Sequence, residues 1–235
     1  KNKSKITFNE NNLKKCNFFI ITVPTPINND KRPNLEYIIS ACRTISKYIK
    51  KDDIVFLEST VFPGTTEKIC RKIIQKNRNI KFHIGYSSER INPGDKLHNI
   101  RNISKVVSIN SNKNITSKVK KVYSFISKKI IFSKNIKEAE LSKLIENTQR
   151  DLNIALMNEL MILCHKTNLN FDEVIKLARS KWNFLYFAPG LVGGHCLPVD
   201  PYYLSYYAHQ SKFKTKVTLA GRTVNNSMEL FIFEK

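Results

Sequence analysis

One stretch limits this chain more than any other: KEAELSKLIENTQRDLNIALMNELMILCHKTN, residues 137–168. It holds neither Gly nor Pro, and apolar residues recur at 141, 144, 145, 152, 156, 160 and 163. That spacing predicts a single helix of about 48 Å at ~1.5 Å per residue. FDEVIKLARS (171–180) predicts a second helix, with Asp172 and Glu173 in its first turn facing the helix dipole. A loop over 181–201 follows, then helical material from about 202 to 230.

Before residue 134 the pattern is different. NFFIITVP (17–24), DIVFLEST (53–60), KFHIGYSSER (81–90), KVVSI (105–109) and KIIFS (129–133) are short apolar runs rich in β-branched and aromatic residues. They read as buried strands. Between them, 34–51, 63–77 and 115–127 carry helical spacing, the first with Asn34 as its expected N-cap. Strands alternating with helices predict an α/β fold, a partial Rossmann-like doubly wound parallel sheet. An all-helical domain with the long helix follows it. The boundary falls near residue 134, giving domains 1–133 and 134–235. In such sheets ligands sit beyond the C-terminal strand ends. Thr25, Glu58 to Thr60 and Ser87 to Arg90 therefore stand where a ligand would be met.

Composition removes several functional classes. The chain has 235 residues and a formal net charge of +21, which first suggests nucleic acid. Lys is spread along the chain, however, with abundant Ile and Asn. The densest run, 113–137, mixes basic residues into a helix and strand pattern with only Tyr123, Phe125 and Phe132 among them. A basic surface also favours a polyanionic small molecule such as a dinucleotide or a nucleotide sugar, and with so few aromatics in that run no nucleic-acid partner is expected. The five cysteines are odd in number and show no CxxC spacing, and His83, His98, His165 and His209 have no ligand spacing, so no metal site is expected. Trp182 is expected to be a packing anchor. No apolar run is long enough for a membrane span and the first residues lack a signal-type apolar core, so a cytoplasmic, non-membrane protein is expected.

Three constellations could carry chemistry. Lys143 and Asn147, four apart on the long helix, share a face and could hold an oxyanion with one charged and one neutral donor; they could equally be two exposed polar residues. In GLVGGHCLPVDPYYL (190–204), Cys196 follows Gly193, Gly194 and His195, and Asp200 lies four residues on. The thiol is either a nucleophile on a loop or a structural Cys in a turn. Glu89 and Thr60 each follow a predicted strand, where a carboxylate can activate water and a hydroxyl can hold it.

VPTP, ESTVFPGTTE, SSERINPGD, ELSKLIENTQRDLNIALMNEL, SKWNFL, PGLVGGHCLPVDPYYL and LAGRTVNNSM occur here in a family order. Together they resemble the UDP-glucose/UDP-N-acetylmannosamine dehydrogenases, and most of all the bacterial UDP-N-acetylhexosamine 6-dehydrogenases that supply uronic acid sugars for capsules and O-antigens. The resemblance implies an NAD-dependent four-electron oxidation of a sugar C6 alcohol to a carboxylate. It implies Cys196 as nucleophile, Lys143 and Asn147 as oxyanion donors, Asp200 as base through a water, and Glu89 and Thr60 in the hydrolytic half. Val23, Pro24, Thr25, Ser59 and Thr60 would contact NAD. Glu89, Arg90, Lys143, Asn147, Phe187, Gly190, Gly193 and Gly194 would contact the UDP-sugar. The long helix would form a homodimer core.

The sequence also departs from that pattern. No strand–GxGxxG–helix unit for the NAD pyrophosphate is present among its seven glycines, and the sequence stops at FIFEK, about where the family's C-terminal UDP-binding domain would begin. SSER replaces the usual SPER, and Pro93 stands where some members carry a second acid. The expectation is therefore the middle of such an enzyme, with very weak NAD binding and little activity by itself and with apolar strand edges left exposed. The alternative is an inactive remnant that acts at most as a dimerisation piece.

Overall fold

A computed structural model describes residues 6–76, 80–92, 94–95 and 97–234. Pro93 lies outside the described residues. The chain divides into two compact units, Lys1–Thr25 with Asn34–Lys143, and Pro26–Pro33 with Leu144–Lys235.

The first unit is a five-stranded sheet in the order β1 (Phe18–Ile21), β2 (Ile54–Leu57), β3 (His83–Ser87), β4 (Ser104–Ile109), β5 (Lys129–Ser133). Helix α1 (Glu36–Tyr48) joins β1 to β2. A π-helical segment (Thr65–Cys70) running into α2 (Arg71–Gln75) joins β2 to β3, and α3 (Lys113–Ser124) joins β4 to β5. Alternation along β2 fixes the layers. Val55 and Leu57 pack with Ile38, Cys42 and Ile45 of α1. Ile54 and Phe56 point the other way and pack with Ile115, Val119 and Tyr123 of α3. Helices therefore cover both faces, as the apolar runs predicted. At Gly85 a Cβ would stand 2.5 Å from the Phe56 ring, so only glycine lets that ring cross the strand.

One expectation about the sheet is corrected. β1, β2 and β3 are parallel and β4 and β5 are parallel, but β3 and β4 pair antiparallel. The cause is the connection between them, in which the described residues form no helix; a chain without a crossover turns back on itself. Because β4 runs the other way, a crossover of the same hand places α3 on the face opposite α1. The N-terminal end of β4 is thereby brought beside the C-terminal end of β3, with Ser87 opposite Val107.

The second unit is helical. α4 (Ile136–Lys166) is the predicted long helix, 31 residues without a break, beginning in the first unit. α5 (Phe171–Arg179) is capped by Asn170, whose Oδ1 accepts from the Glu173 N–H at 3.1 Å. The material predicted as helical over 202–230 is two helices, α6 (Asp200–Gln210) and α7 (Lys216–Phe233), parted by a turn in which Lys212 takes φ +57°. α7 approaches α4 closely at Gly221, where a Cβ would stand 2.4 Å from Leu152 Cδ2. The loop 26–33 belongs to this unit and is held by the Tyr203 hydroxyl, which donates to the Pro26 carbonyl at 3.1 Å.

Two smaller expectations also change. Asn34 stands one residue before the cap position Leu35, and its Oδ1 accepts from the Glu36 N–H. Trp182 does not anchor packing within this chain; it is 92% exposed, on the long loop after α5.

Candidate active site

In the sheet unit, the tips of β1, β2 and β3 are tied together by polar side chains. Ser59, buried just past β2, donates its hydroxyl to the Val23 carbonyl past β1 at 2.6 Å. Two of the expected cofactor contacts are thus brought together, with Pro24 and Thr25 following Val23 and the half-buried Thr60 following Ser59. Past β3, the Glu89 carboxylate accepts from the N–H groups of Arg90 and Ile91 at 2.6 and 3.0 Å. The Arg90 guanidinium turns to the Ser104 carbonyl at 3.1 Å.

Lys105 organises these tips, and the motif reading did not single it out. It is the second residue of β4, is 1% exposed, and donates to Glu58 at 2.7 Å and to Glu89 at 3.1 Å. Tyr123 donates to the second Glu58 oxygen at 2.7 Å. Burial would raise the Glu89 carboxyl, but the Lys105 charge and the two N–H donors outweigh it and hold Glu89 below its usual range. Glu89 is therefore ionised at neutral pH. Burial and the Glu58 carboxylate push the Tyr123 phenol far above its usual range, so it stays a neutral donor. A Lys opening an otherwise apolar strand was the available signal: a charge at a buried strand end needs partners.

A second arrangement belongs to α4 and the loop after α5. Cys196 is exposed, as are Gly193 and Gly194, while Phe187 and Gly190 are half-buried. Gly194 takes φ +88°, a conformation that favours glycine immediately ahead of His195 and Cys196. The Cys196 carbonyl accepts from the Val199 and Asp200 N–H groups at 3.1 and 2.9 Å, so the residue is the turn from which α6 starts. Asp200, 3% exposed, receives the Asn147 side-chain amide at 2.5 Å. The expected base and one expected oxyanion donor therefore touch, within one turn of the thiol's backbone. Lys143 lies one turn before Asn147 on α4 and is 8% exposed; it is not the exposed polar residue that spacing alone allowed.

The same helical unit contains a buried ionic group that the motifs did not flag. Asp151 on α4 is fully buried and receives Arg222 of α7 at 2.6 Å and the Asn225 amide at 2.8 Å. Among the described residues no group of three or more His, Cys, Asp or Glu side chains could hold a metal, and no helix is long and apolar enough to cross a membrane.

Comparison with known proteins decides the family. Residues 1–127 match the profile of the UDP-glucose/GDP-mannose dehydrogenase family, NAD binding domain, and residues 137–227 match the central domain of the same family. The chain belongs to this family. It is 47% identical over 236 residues to the UDP-N-acetyl-D-glucosamine 6-dehydrogenase of Salmonella typhi, covering 98% of this chain and 55% of that protein. It is 36% identical over 233 residues to the UDP-N-acetyl-D-mannosamine dehydrogenase of Pyrococcus horikoshii, covering 97% and 54%. The solved structure of the UDP-D-ManNAc dehydrogenase from Pyrococcus horikoshii superposes with a TM-score of 0.86 at 33% identity, over 98% of this chain and 56% of that one. The chain thus spans about half the length of the curated relatives it matches.

Proposed function

We propose that this chain is the catalytic middle of an NAD-dependent nucleotide-sugar 6-dehydrogenase, acting in the cytoplasm on a UDP-N-acetylhexosamine or UDP-glucose for surface polysaccharide synthesis. The observation that carries this reading is the Cys196 turn. An exposed thiol follows a left-handed glycine, and one helical turn later comes a buried carboxylate gripped by an amide of α4. A carboxylate so placed is a base within reach of a water beside the thiol.

The chemistry then runs through this chain's residues. Asp200, through a water, takes the proton of the C6 alcohol as it becomes an aldehyde. The Cys196 thiol adds to that aldehyde carbon to give a thiohemiacetal. Lys143 and Asn147 stabilise the oxygen as its charge develops, a task for donors fixed in advance. Loss of hydride from the same carbon leaves a thioester on Cys196. Water breaks the C–S bond and returns the thiol and the sugar acid, the hydrolytic half to which the resemblance assigns Glu89 and Thr60. NAD, when bound, accepts the hydride in each oxidation. Val23 to Thr25, Ser59 and Thr60 fit the reacting end of such a cofactor, because the Ser59–Val23 bond holds two strand tips side by side. No GxGxxG grip for its pyrophosphate is present among these residues. Arg90, Phe187, Gly190, Gly193 and Gly194 would line the sugar nucleotide.

A homodimer through α4 completes the proposal. Ile145, Leu156 and Leu163 are each about half exposed and fall on one line of the helix, eleven and seven residues apart. The stripe supports burial against a second copy.

The test is NADH formation by the polypeptide that carries this chain, with UDP-GlcNAc, UDP-GalNAc and UDP-glucose offered separately. Two NADH per sugar acid are expected, with none of the acid formed by Cys196→Ala. Full turnover to the acid without Cys196 would sink the thioester route. Absence of turnover with every sugar would favour the inactive remnant instead.

A further inference from the structure

We infer that Asn158 is a positioning residue: it clamps the start of the Cys196 loop to α4 through both polar groups of one peptide residue, Gly190. The inference rests on the reading of Cys196 as the reacting group. Its geometry stands within the helical unit alone.

Asn158 is fully buried. Its Oδ1 accepts the Gly190 N–H at 2.7 Å, and its Nδ2 donates to the Gly190 carbonyl at 3.0 Å. A side-chain amide paired with both groups of one residue fixes the direction of the backbone as well as its place. Nδ2 also donates to Asn225 Oδ1 at 2.8 Å, and Asn225 Nδ2 donates to the Asp151 carboxylate and carbonyl at 2.8 and 3.0 Å. This chain of bonds leaves no choice of orientation. The Asp151 carbonyl can only accept, so Asn225 must turn its nitrogen to it and its oxygen to Asn158. Asn158 must then offer nitrogen to Asn225, which aims its own oxygen at the Gly190 N–H. Arg222 donates to the same Asp151 carboxylate at 2.6 Å.

The other end of the loop is held by the same helix. Asn147 grips Asp200 at 2.5 Å. Asn147 and Asn158 are eleven residues apart, three turns of α4, so they lie within roughly 20° of one line and about 16 Å apart along it. The segment Gly190 to Asp200 is thus strung along α4 between two asparagines. Among the described residues, the backbone N–H groups of Leu191 to Gly194 make no hydrogen bond within the protein. The segment is thus held at both ends, by Asn158 at Gly190 and by Asn147 at Asp200, with the Cys196 carbonyl tied into the turn that opens α6.

The test uses amide exchange, thiol alkylation and kinetics on the polypeptide that carries this chain. In the wild type, the Gly190 amide should exchange far more slowly than those of Gly193 and Gly194; equal rates would overturn the inference without any variant. In Asn158→Ser, Gly190 should lose protection while α4 amides near Asn147 keep theirs, and the rate and pH profile of Cys196 alkylation by iodoacetamide should shift. Turnover should fall on the order of a hundredfold with KM little changed, as expected when a reacting atom is misplaced by about 1 Å. Unchanged Gly190 protection and unchanged alkylation in Asn158→Ser would refute the clamp. A clamp seen by exchange and alkylation in a protein that oxidises no sugar would instead refute the dehydrogenase reading and leave the clamp standing.

Discussion

The two units solve opposite problems of burial. In the sheet unit, apolar side chains fill both faces and polar groups gather at the strand tips, where Lys105 and Ser59 tie them. In the helical unit, α4 buries polar side chains among its apolar ones, Leu144, Ala155 and Met157. Asn147, Asp151 and Asn158 lie on one side of the helix, each with polar partners, and Asp151 and Asn158 are fully buried. Ile145, Leu156 and Leu163 lie on the opposite side and are about half exposed. An ordinary surface helix buries its apolar face. A helix that buries polar side chains beside its apolar ones has been given a task for them, and its exposed apolar line still needs cover.

The largest effect is expected where that cover is removed. Leu156→Glu with Leu163→Glu should convert a sedimenting dimer to a monomer, because in a two-fold interface each added charge is met twice. Circular dichroism should be unchanged, since neither side chain is buried within the unit. A wild-type chain that sediments as a monomer at the same concentration would show that the apolar stripe serves some other purpose.

Next comes the buried side of the same helix. Arg222→Ala leaves Asp151 as an unpaired buried charge and should cost about 4 kcal/mol, the range seen when one partner of a buried pair is removed. Urea unfolding would read it. Asp151→Asn with Arg222→Met, which removes both charges, should recover most of the loss. If the double variant is as unstable as the single one, the charge itself is not the cost.

How far the sequence was legible follows the same division. The strands, α1, α3 and the long helix could be read because periodicity and the lack of Gly and Pro are local properties. The antiparallel β3–β4 pair could not be read from the strands; the signal lay in the 88–103 segment, which has no helical period to carry a crossover. Motif residues Cys196, Asp200, Asn147, Glu89 and Ser59 were named, but their supports were missed. Lys105, Asn158 and Arg222 act across long stretches of chain; Lys105 was marked by the apolar run it precedes, but nothing in the immediate neighbours of Asn158 and Arg222 marks them. Asn158 had one faint mark, its place eleven residues from Asn147 on an uninterrupted helix. Trp182 misled because a large aromatic is usually buried.

In the sheet unit the corresponding buried acid is Glu140, near the start of α4. It is fully buried and accepts the Gly64 and Thr66 N–H groups at 2.5 and 2.9 Å, so it caps the π-helical segment after β2. Burial outweighs those donors and pushes its carboxyl from 4.5 up to about 7. A folded-state value above the unfolded one means its contribution is complete below about 4.5 and is lost as pH rises through 7. Between those limits the unfolding free energy should fall by about 3 kcal/mol on this group's account. Glu140→Gln should flatten that part of the profile in urea titrations at pH 5, 6, 7 and 8. A wild-type profile already flat there would show that the N–H donors, not burial, set the carboxyl.

The smallest effect tests whether strand tips are held as firmly as the loop on α4. Ser59→Ala removes a single neutral hydroxyl bond to the Val23 carbonyl and should cost about 1 kcal/mol. Its consequence for NAD should be larger than for stability, since the proposed contacts from Val23 to Thr25 would lose their tie to the β2 tip. Binding of NAD by the full polypeptide, followed by fluorescence quenching, should weaken while binding of the sugar nucleotide is unchanged. Equal loss for both ligands would mean that the two strand tips serve the fold of the whole sheet edge, and that the division of labour between the two units is less sharp than their polar groups suggest.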